Sequence, residues 1–257
     1  MITAVELLIA AFLASVFGSM VGLGGGFILV PVLRLFFGLG PAEAAGTALV
    51  LVVANSGSGA FTYLLQQRVH VRVGLLFAAG GLPGSIAGAV LAKHISATLF
   101  DALLALLLFT VAVDMVLRRA KHVSEREDST RHVHTLRGMP TAAAVAVGFG
   151  VGLVSSLFGI GGGVVLVPTL LYFSDLPAHA ISATSHFGIV LTSPVGLTVH
   201  AFQHDIRVRD IVPLVIGGLC GGPIGARLSL RLRSRQLLIF VAVALAVGAI
   251  SLVLRHL

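Results

Sequence analysis

Apolar runs long enough to cross a bilayer recur along this chain with little charge inside them. They cover roughly 3–21, 43–65, 73–92 and 97–117, then 140–158, 177–202, 211–230 and 236–254. A helix needs about 20 such residues to cross the hydrocarbon core. Charged residues make up 11% of the sequence and hydrophobic residues 57%, with a mean hydropathy of +1.05. A soluble domain carries about 25% charged residues. The polar surface needed to solvate a globule of 257 residues is therefore missing. The expected fold is an all-α polytopic membrane protein. An outer-membrane barrel would need short alternating segments, and the runs are continuous.

The net charge is +7, from 17 basic and 10 acidic residues. The basic residues fall between the apolar runs, where they orient a membrane protein. They are not interleaved with aromatics, which argues against nucleic acid as a partner. The one cysteine, Cys220, excludes a disulfide framework and a CxxC metal site. Lying in an apolar run, it is expected to be buried. The N-terminal MITAVELLIAAFLASVFGS lacks a basic leader and reads as the first membrane helix, not a cleaved signal.

The chain repeats itself. GLGGGFILVP at 22–31 returns as GIGGGVVLVP at 159–168. Gly24 and Gly161 stand 137 positions apart (161 minus 24), as do Pro31 and Pro168, Thr47 and Thr184, Gly59 and Gly196, and Gln66 and Gln203. GGLPGSIAGAVLA at 80–92 falls on GGLCGGPIGARLS at 217–229 in the same register. Two homologous repeats are expected, 1–117 and 139–257, joined by a polar linker at 118–138. Each should hold four long spans plus one short glycine-broken segment, 24–38 or 161–174. The linker carries Arg118, Arg119, Lys121, Arg126, Arg131 and Arg137 against Glu125, Glu127 and Asp128. The positive-inside rule places it in the cytoplasm. Its His122, His132 and His134 read as scattered solvated histidines more readily than as a metal site.

Whether the short segments cross decides the symmetry. If they do not, the repeats are parallel. If they do, the repeats are inverted, and the loop charges favour this case. Inversion puts Arg68 and Arg72 inside and the neutral 203–210 loop outside. It puts Arg231, Arg233 and Arg235 inside, and the matching loop with only Lys93 outside.

Three glycines and a proline break a helix. A break at membrane depth survives only in protein or beside a watery cavity, and paired breaks in two repeats point to a transporter's binding site. The helix restarting after such a loop aims free N–H groups at that cavity, which suits an anion. Close helix packing is the plainer use of the same glycines. Walker and dinucleotide patterns are absent, and no cofactor is expected. The candidate substrate ligands are Gly24, Gly25, Gly26, Thr47, Asn55, Gly161, Gly162, Gly163, Thr184, Ser185 and His186. His200, Arg227 and Ser56 are candidates for proton coupling or for a second layer, because ionisable groups inside spans are costly and mark function. Arg34 reads as snorkelling to the interface. Asp101 and Asp114 are isolated and unrepeated, which argues against a membrane-embedded enzyme.

At these residues the chain resembles the sulfite exporter TauE/SafE family, also called the toluene-sulfonate uptake permeases. The likeness rests on GxGGGxxxxP at 22–31 and 159–168, Ala183-Thr184-Ser185, His200, and GxxxGA at 84–89 and 221–226. It implies a multi-pass transporter of the bacterial inner membrane for small sulfur-containing anions such as sulfite, sulfonates or sulfoacetate. The first half departs from the pattern, with Gly46-Thr47-Ala48 and with Tyr63 at the place of His200, so the half-sites are expected to contribute unequally. An anion channel is the nearest alternative, and an assembly factor a more distant one. Partners would be the anion, the lipid bilayer, a coupling proton and a second copy in a homodimer.

Overall fold

The computed structural model describes residues 4–122, 140–174, 176–230, 243 and 245–249. Nine α-helices are found among them: α1 (Ala4–Val21), α2 (Gly26–Phe36), α3 (Pro41–Leu65), α4 (Val71–Ala92), α5 (Ala97–His122), α6 (Thr141–Phe158), α7 (Gly163–Phe173), α8 (Ala178–Phe202) and α9 (Ile211–Leu228). A 3-10 turn at Val208–Asp210 leads into α9. Among the described residues, six helical segments are long and apolar enough to cross a membrane: Ala4–Val21, Pro41–Leu65, Val71–Ala92, Thr141–Phe158, His179–Phe202 and Val208–Leu228. The bounds of α1, α2 and α3, each moved by 137 positions, are the bounds of α6, α7 and α8. For these three pairs the duplication legible in the sequence is kept to the residue in the backbone, while α9 starts three residues later than α4 moved by 137 positions and ends one residue earlier.

Local chemistry sets these limits. Gly40 precedes α3 with Pro41 at the first helical position, where a missing N–H does no harm. Pro177 stands at the place of Gly40, as the residue before α8. α3 and α8 end on matching left-handed residues, Gln67 and His204. α2 and α7 have 11 residues each, about 16 Å of helix, roughly half the hydrocarbon core. α5 runs on through His122, past the expected start of the linker, because Arg, Ala and Lys propagate a helix readily once it leaves the apolar layer. The rest of the linker, with His132 and His134, lies outside the described residues. So do Arg231, Arg233 and Arg235 and most of the run at 236–254.

Glycine stripes bring the two halves into backbone contact. Gly80, Gly84 and Gly88 of α4 meet Val145, Phe149 and Leu153 of α6, and a Cβ on any of them would collide with carbonyl oxygens there. Gly217, Gly221 and Gly225 of α9 meet Ala11, Ser15 and Ser19 of α1 in the same manner. Small residues are the means of close helix approach where no hydrophobic effect drives association. Both pairings are parallel and both join one half to the other.

Helix directions follow from such contacts. α4 runs parallel to α8, with Gly74 on Phe187 and Gly81 on Thr192. α9 runs parallel to α3, with Gly218 on Ala54 and Gly222 on Ser58. α3 and α8 run antiparallel, since Thr47 near the start of α3 accepts a bond from Arg207 N–H just beyond α8 (3.0 Å) and Thr184 near the start of α8 accepts one from His70 N–H beyond α3 (3.0 Å). So α1, α3 and α9 point one way and α4, α6 and α8 the other. Each of these helices opposes its counterpart 137 positions away.

Two expectations about single residues change. Cys220 is exposed on α9. In a bilayer the outward face is as apolar as the core, so apolar neighbours do not signal burial. Arg34 does not snorkel. Its side chain is 3% exposed and forms a two-pronged bond to the fully buried Asp101 of α5, Nε to Oδ1 at 2.8 Å and Nη2 to Oδ2 at 2.5 Å, while Nη1 donates to Leu39 O at 2.6 Å. The matching positions in the second half are Leu171 and Leu238, so the pair of charges answers to a pair of leucines. Removing one partner of a buried ion pair costs about 3–5 kcal/mol, while replacing both with apolar side chains is near neutral. Arg34→Leu is expected to lose that stability, and Arg34→Leu/Asp101→Leu to recover most of it, read by denaturation in mixed micelles. A double variant no better than the single would mean the leucine pair cannot fill the space.

Candidate substrate site between the two glycine loops

The helix breaks demand backbone that only glycine adopts easily. Gly22, Gly24 and Gly25 have φ of 88, 85 and 82°, and Gly159, Gly161 and Gly162 have 69, 82 and 47°. This left-handed region costs side chains free energy and glycine nothing. The two loops pack on each other. A Cβ on Gly163 would strike Gly22 O, and one on Gly26 would strike Gly159 O. A Cβ on Gly24 would lie 3.5 Å from Gly161 O. The starts of α2 and α7 therefore face one another, each with first-turn N–H groups that have no acceptor inside the helix. Val52 of α3 and Ile189 of α8, matching residues, pack beside the loops in one small apolar cluster with Leu49.

Around the 22–26 loop the side chains are polar. Ser19 Oγ lies 2.7 Å from Asn55 Oδ1, to which it donates, and 2.9 Å from His186 Nε2. A hydroxyl has one proton, so His186 then carries hydrogen on Nε2 and donates to Ser19. Tyr63 OH donates to Ser19 O at 2.5 Å, and its ring meets the His186 ring edge-on, centroids 5.7 Å apart. Gly59 makes room for these, since a Cβ there would lie 2.8 Å from both Ser19 Oγ and the His186 ring. Ser185 Oγ donates to Gly22 O (2.8 Å) and Ser182 Oγ to Val21 O (2.9 Å), which fixes the loop's entry. Asn55 Nδ2 and His186 Nδ1 are buried with no partner among the described residues. Asn55 Nδ2 lies 3.5 Å from where a Cβ on Gly25 would stand, beside the N-terminus of α2.

The 159–163 loop has the same backbone and other side chains. The positions matching Ser182, Ser185 and His186 are Ala45, Ala48 and Leu49, and Asn55 answers to Thr192. Thr192 Oγ1 is spent on its own helix, donating to Gly188 O at 3.1 Å. Ser156, the counterpart of Ser19, is buried with no partner for its hydroxyl among the described residues. His200, the counterpart of Tyr63, is fully buried and bonds Ser156 O through Nε2 at 2.9 Å. The inequality expected from the departures at Gly46-Thr47-Ala48 and Tyr63 thus takes a definite form, with polar groups gathered at one loop.

The structure brings Gly24, Gly25, Gly26, Gly161, Gly162, Gly163, Asn55, Ser185 and His186 to this centre. Thr47 and Thr184 sit further out, their hydroxyls holding the loops after α8 and α3. Ser56 Oγ bonds back to Val53 O at 3.3 Å. Arg227 is exposed in the last turn of α9. The sequence reading missed Ser19, Gly59, Ser182 and the contribution of Tyr63. The 137-position register could have raised Ser19, since Ser156 repeats it. Among the described residues, no group of three or more His, Cys, Asp or Glu could hold a metal.

Antiparallel helices long and apolar enough to cross a bilayer, set around paired half-length helices, fit a multi-pass membrane protein. The profile described as "Sulfite exporter TauE/SafE" matches residues 7–252, and the chain belongs to that family. It is 27% identical to a probable membrane transporter, YunE, of Bacillus subtilis, over 94% of both chains. It is 28% identical to a probable membrane transporter of Xylella fastidiosa strain 9a5c over 91% of this chain and 88% of that one. A probable membrane transporter of Methanocaldococcus jannaschii, MJ0441, is 29% identical over 74% of this chain and 70% of its own. No solved structure matches. Membership in a transporter family implies a small-molecule substrate and a lipid surround.

Leaving buried partners unpaired costs about 1–3 kcal/mol. Ser19→Ala strips Asn55 Oδ1 and His186 Nε2 of their partner at once and is expected to lose that much. Ser156→Ala removes a hydroxyl with no partner and should be close to neutral. Denaturation midpoints of the two variants side by side check this, and equal losses would rule out the one-sided cluster.

Proposed function

We propose that the protein is a secondary transporter or facilitator that moves small sulfur-containing anions, such as sulfite, sulfonates or sulfoacetate, across the bacterial inner membrane. The observation that carries this is the meeting of the α2 and α7 N-termini at the two glycine loops. Each helix start has a partial positive charge of about half an elementary unit. Two such ends facing each other inside a protein repel unless an anion lies between or beside them. The partnerless Asn55 Nδ2 next to Gly25 supplies a further donor on the same side.

In this reading the amides of Gly25, Gly26, Gly161 and Gly162 replace the anion's water, helped by Asn55 Nδ2, while Ser185 and His186 hold the 22–26 loop and Ser19 in place. Thr47 and Thr184 tie the helix starts to the opposing loops, and His200 takes part in proton coupling. The two repeats, 1–117 and 139–257 around a cytoplasmic linker at 118–138, lie inverted in the membrane with four long spans each. The opposed directions of α1 and α6, of α3 and α8, and of α4 and α9 support the inversion, as do the loop charges. One repeat rocks against the other to expose the site alternately to each side. The chain has no ATPase motif, so an ion gradient or the substrate's own gradient drives the movement.

Purified protein in liposomes is expected to carry at least one of sulfite, taurine, sulfoacetate or sulfate, with saturation. A hydrogen bond to a charged group contributes about 1.5–3 kcal/mol, so Asn55→Leu should raise KM roughly 10- to 100-fold for the transported anion. No flux of any of the four would end the transport reading, and flux without saturation would favour a channel.

A further inference from the structure

The two faces where α3 and α8 meet the opposing half are built on one plan with different chemistry. On the first, Tyr63 donates to Ser19 O, Arg68 stacks over the Tyr63 ring at 5.3 Å, and Arg68 Nη1 reaches Ser229 Oγ at 3.3 Å. On the second, the positions of Tyr63 and Arg68 are held by His200 and Asp205. His200 Nε2 bonds a carbonyl, Ser156 O, which can only accept, so this nitrogen carries the hydrogen and the neutral ring leaves Nδ1 bare. Bare Nδ1 lies 3.5 Å from Asp205 Oδ2. Neither atom has a hydrogen-bond partner among the described residues, and both are buried. Two acceptors thus face each other with no hydrogen between them.

We infer that His200 Nδ1 and Asp205 Oδ2 form a one-proton binding site that latches this face shut when occupied. A proton taken from water by Nδ1 turns the pair into a charged donor and a carboxylate acceptor, which is the stronger class of hydrogen bond. The latch reaches across the halves. Asp205 O packs against Gly46 at the start of α3, and Arg207 N–H bonds Thr47 two residues further. Without the proton, the lone pair and the carboxylate repel and the face is released.

Other charged and titratable groups stand near the pair. Lys93 of α4 approaches Asp205 Oδ1 at 3.9 Å and donates to Gln203 O at 2.7 Å. Arg207 and Arg209 flank Asp210 at 3.6 and 3.7 Å, and Glu43 stands in the first turn of α3. His204 is exposed on the loop. The first face holds no equivalent site, since a tyrosine and an arginine exchange no proton between about pH 5 and 8. Burial pushes its His70 below the ordinary imidazole range. The latch is thus one-sided, and in the inverted topology it lies on the outer face. This assignment rests on the transporter reading.

Matching reporters test it without any substrate. Ile206→Cys and Val69→Cys occupy equivalent half-buried loop positions, each placed in a Cys220→Ser background. Labelling rates with a methanethiosulfonate reagent are divided by those of the denatured protein, which removes the thiol's own pH dependence. Between about pH 5 and about pH 8, the rate at Ile206→Cys should rise several-fold while that at Val69→Cys stays flat. Asp205→Asn should keep Ile206→Cys slow at every pH, because the amide donates to neutral Nδ1. His200→Tyr, which copies the first face, should also flatten the profile. Equal pH profiles at the two reporters, or an undiminished profile in both latch variants, would overturn the assignment. Absent flux with this labelling pattern intact would instead count against the transport reading alone.

Discussion

Helix breaks in apolar segments are the constraint on which this architecture turns. The two glycine loops interrupt their helices where lipid offers no hydrogen bond, so each loop must be buried in protein. They meet this need by burying against each other, close enough that Gly26 and Gly163 have no space for a side chain. α2 and α7 can then be short, 11 residues each. The glycine faces of α4 and α9 complete the enclosure by drawing α6 and α1 into backbone contact from the opposite half. Halves interlocked in this way do not make separate domains. Any movement between them must slide or rock along these same small-residue seams.

On this duplicated backbone the side chains have diverged. Serines from α8 grip one loop, while Ala45 of α3 touches the other. Ser19 is surrounded by Asn55, His186 and Tyr63, while its counterpart Ser156 keeps only a carbonyl contact to His200. Arg34 and Asp101 brace α2 against α5 where the second half has leucines. A symmetric scaffold lets two opposed conformations have comparable energy, and unequal side chains allow them to differ in chemistry.

Much of the fold was legible because the duplication is in register. The same offset relates the limits of α1, α2 and α3 to those of α6, α7 and α8. The meeting of the two loops was also legible, since paired breaks have few places to go in a bilayer. Cys220 was misjudged because burial and lipid exposure leave the same apolar signature. Arg34 was misjudged because an arginine at a helix end has two outlets, the interface or a buried acid. Its substitution by Leu171, together with Asp101 by Leu238, was the available clue, and it required comparing two distant positions at once.

The sequence by itself determined that this chain lives in a membrane as helices, that it is built twice, and that each half breaks at GxGGG. Composition and spacing suffice for those conclusions, because lipid forbids nearly every other way to satisfy a backbone. Only the tertiary structure decided which polar groups meet. Ser19 finds His186 and Gly46 finds Asp205 across more than a hundred residues of chain. Such pairings depend on helix direction and on the few ångströms that glycines allow between axes. Neither leaves a local pattern in sequence, so a histidine in an apolar run gives no sign of whether it will face a serine, a carboxylate or lipid.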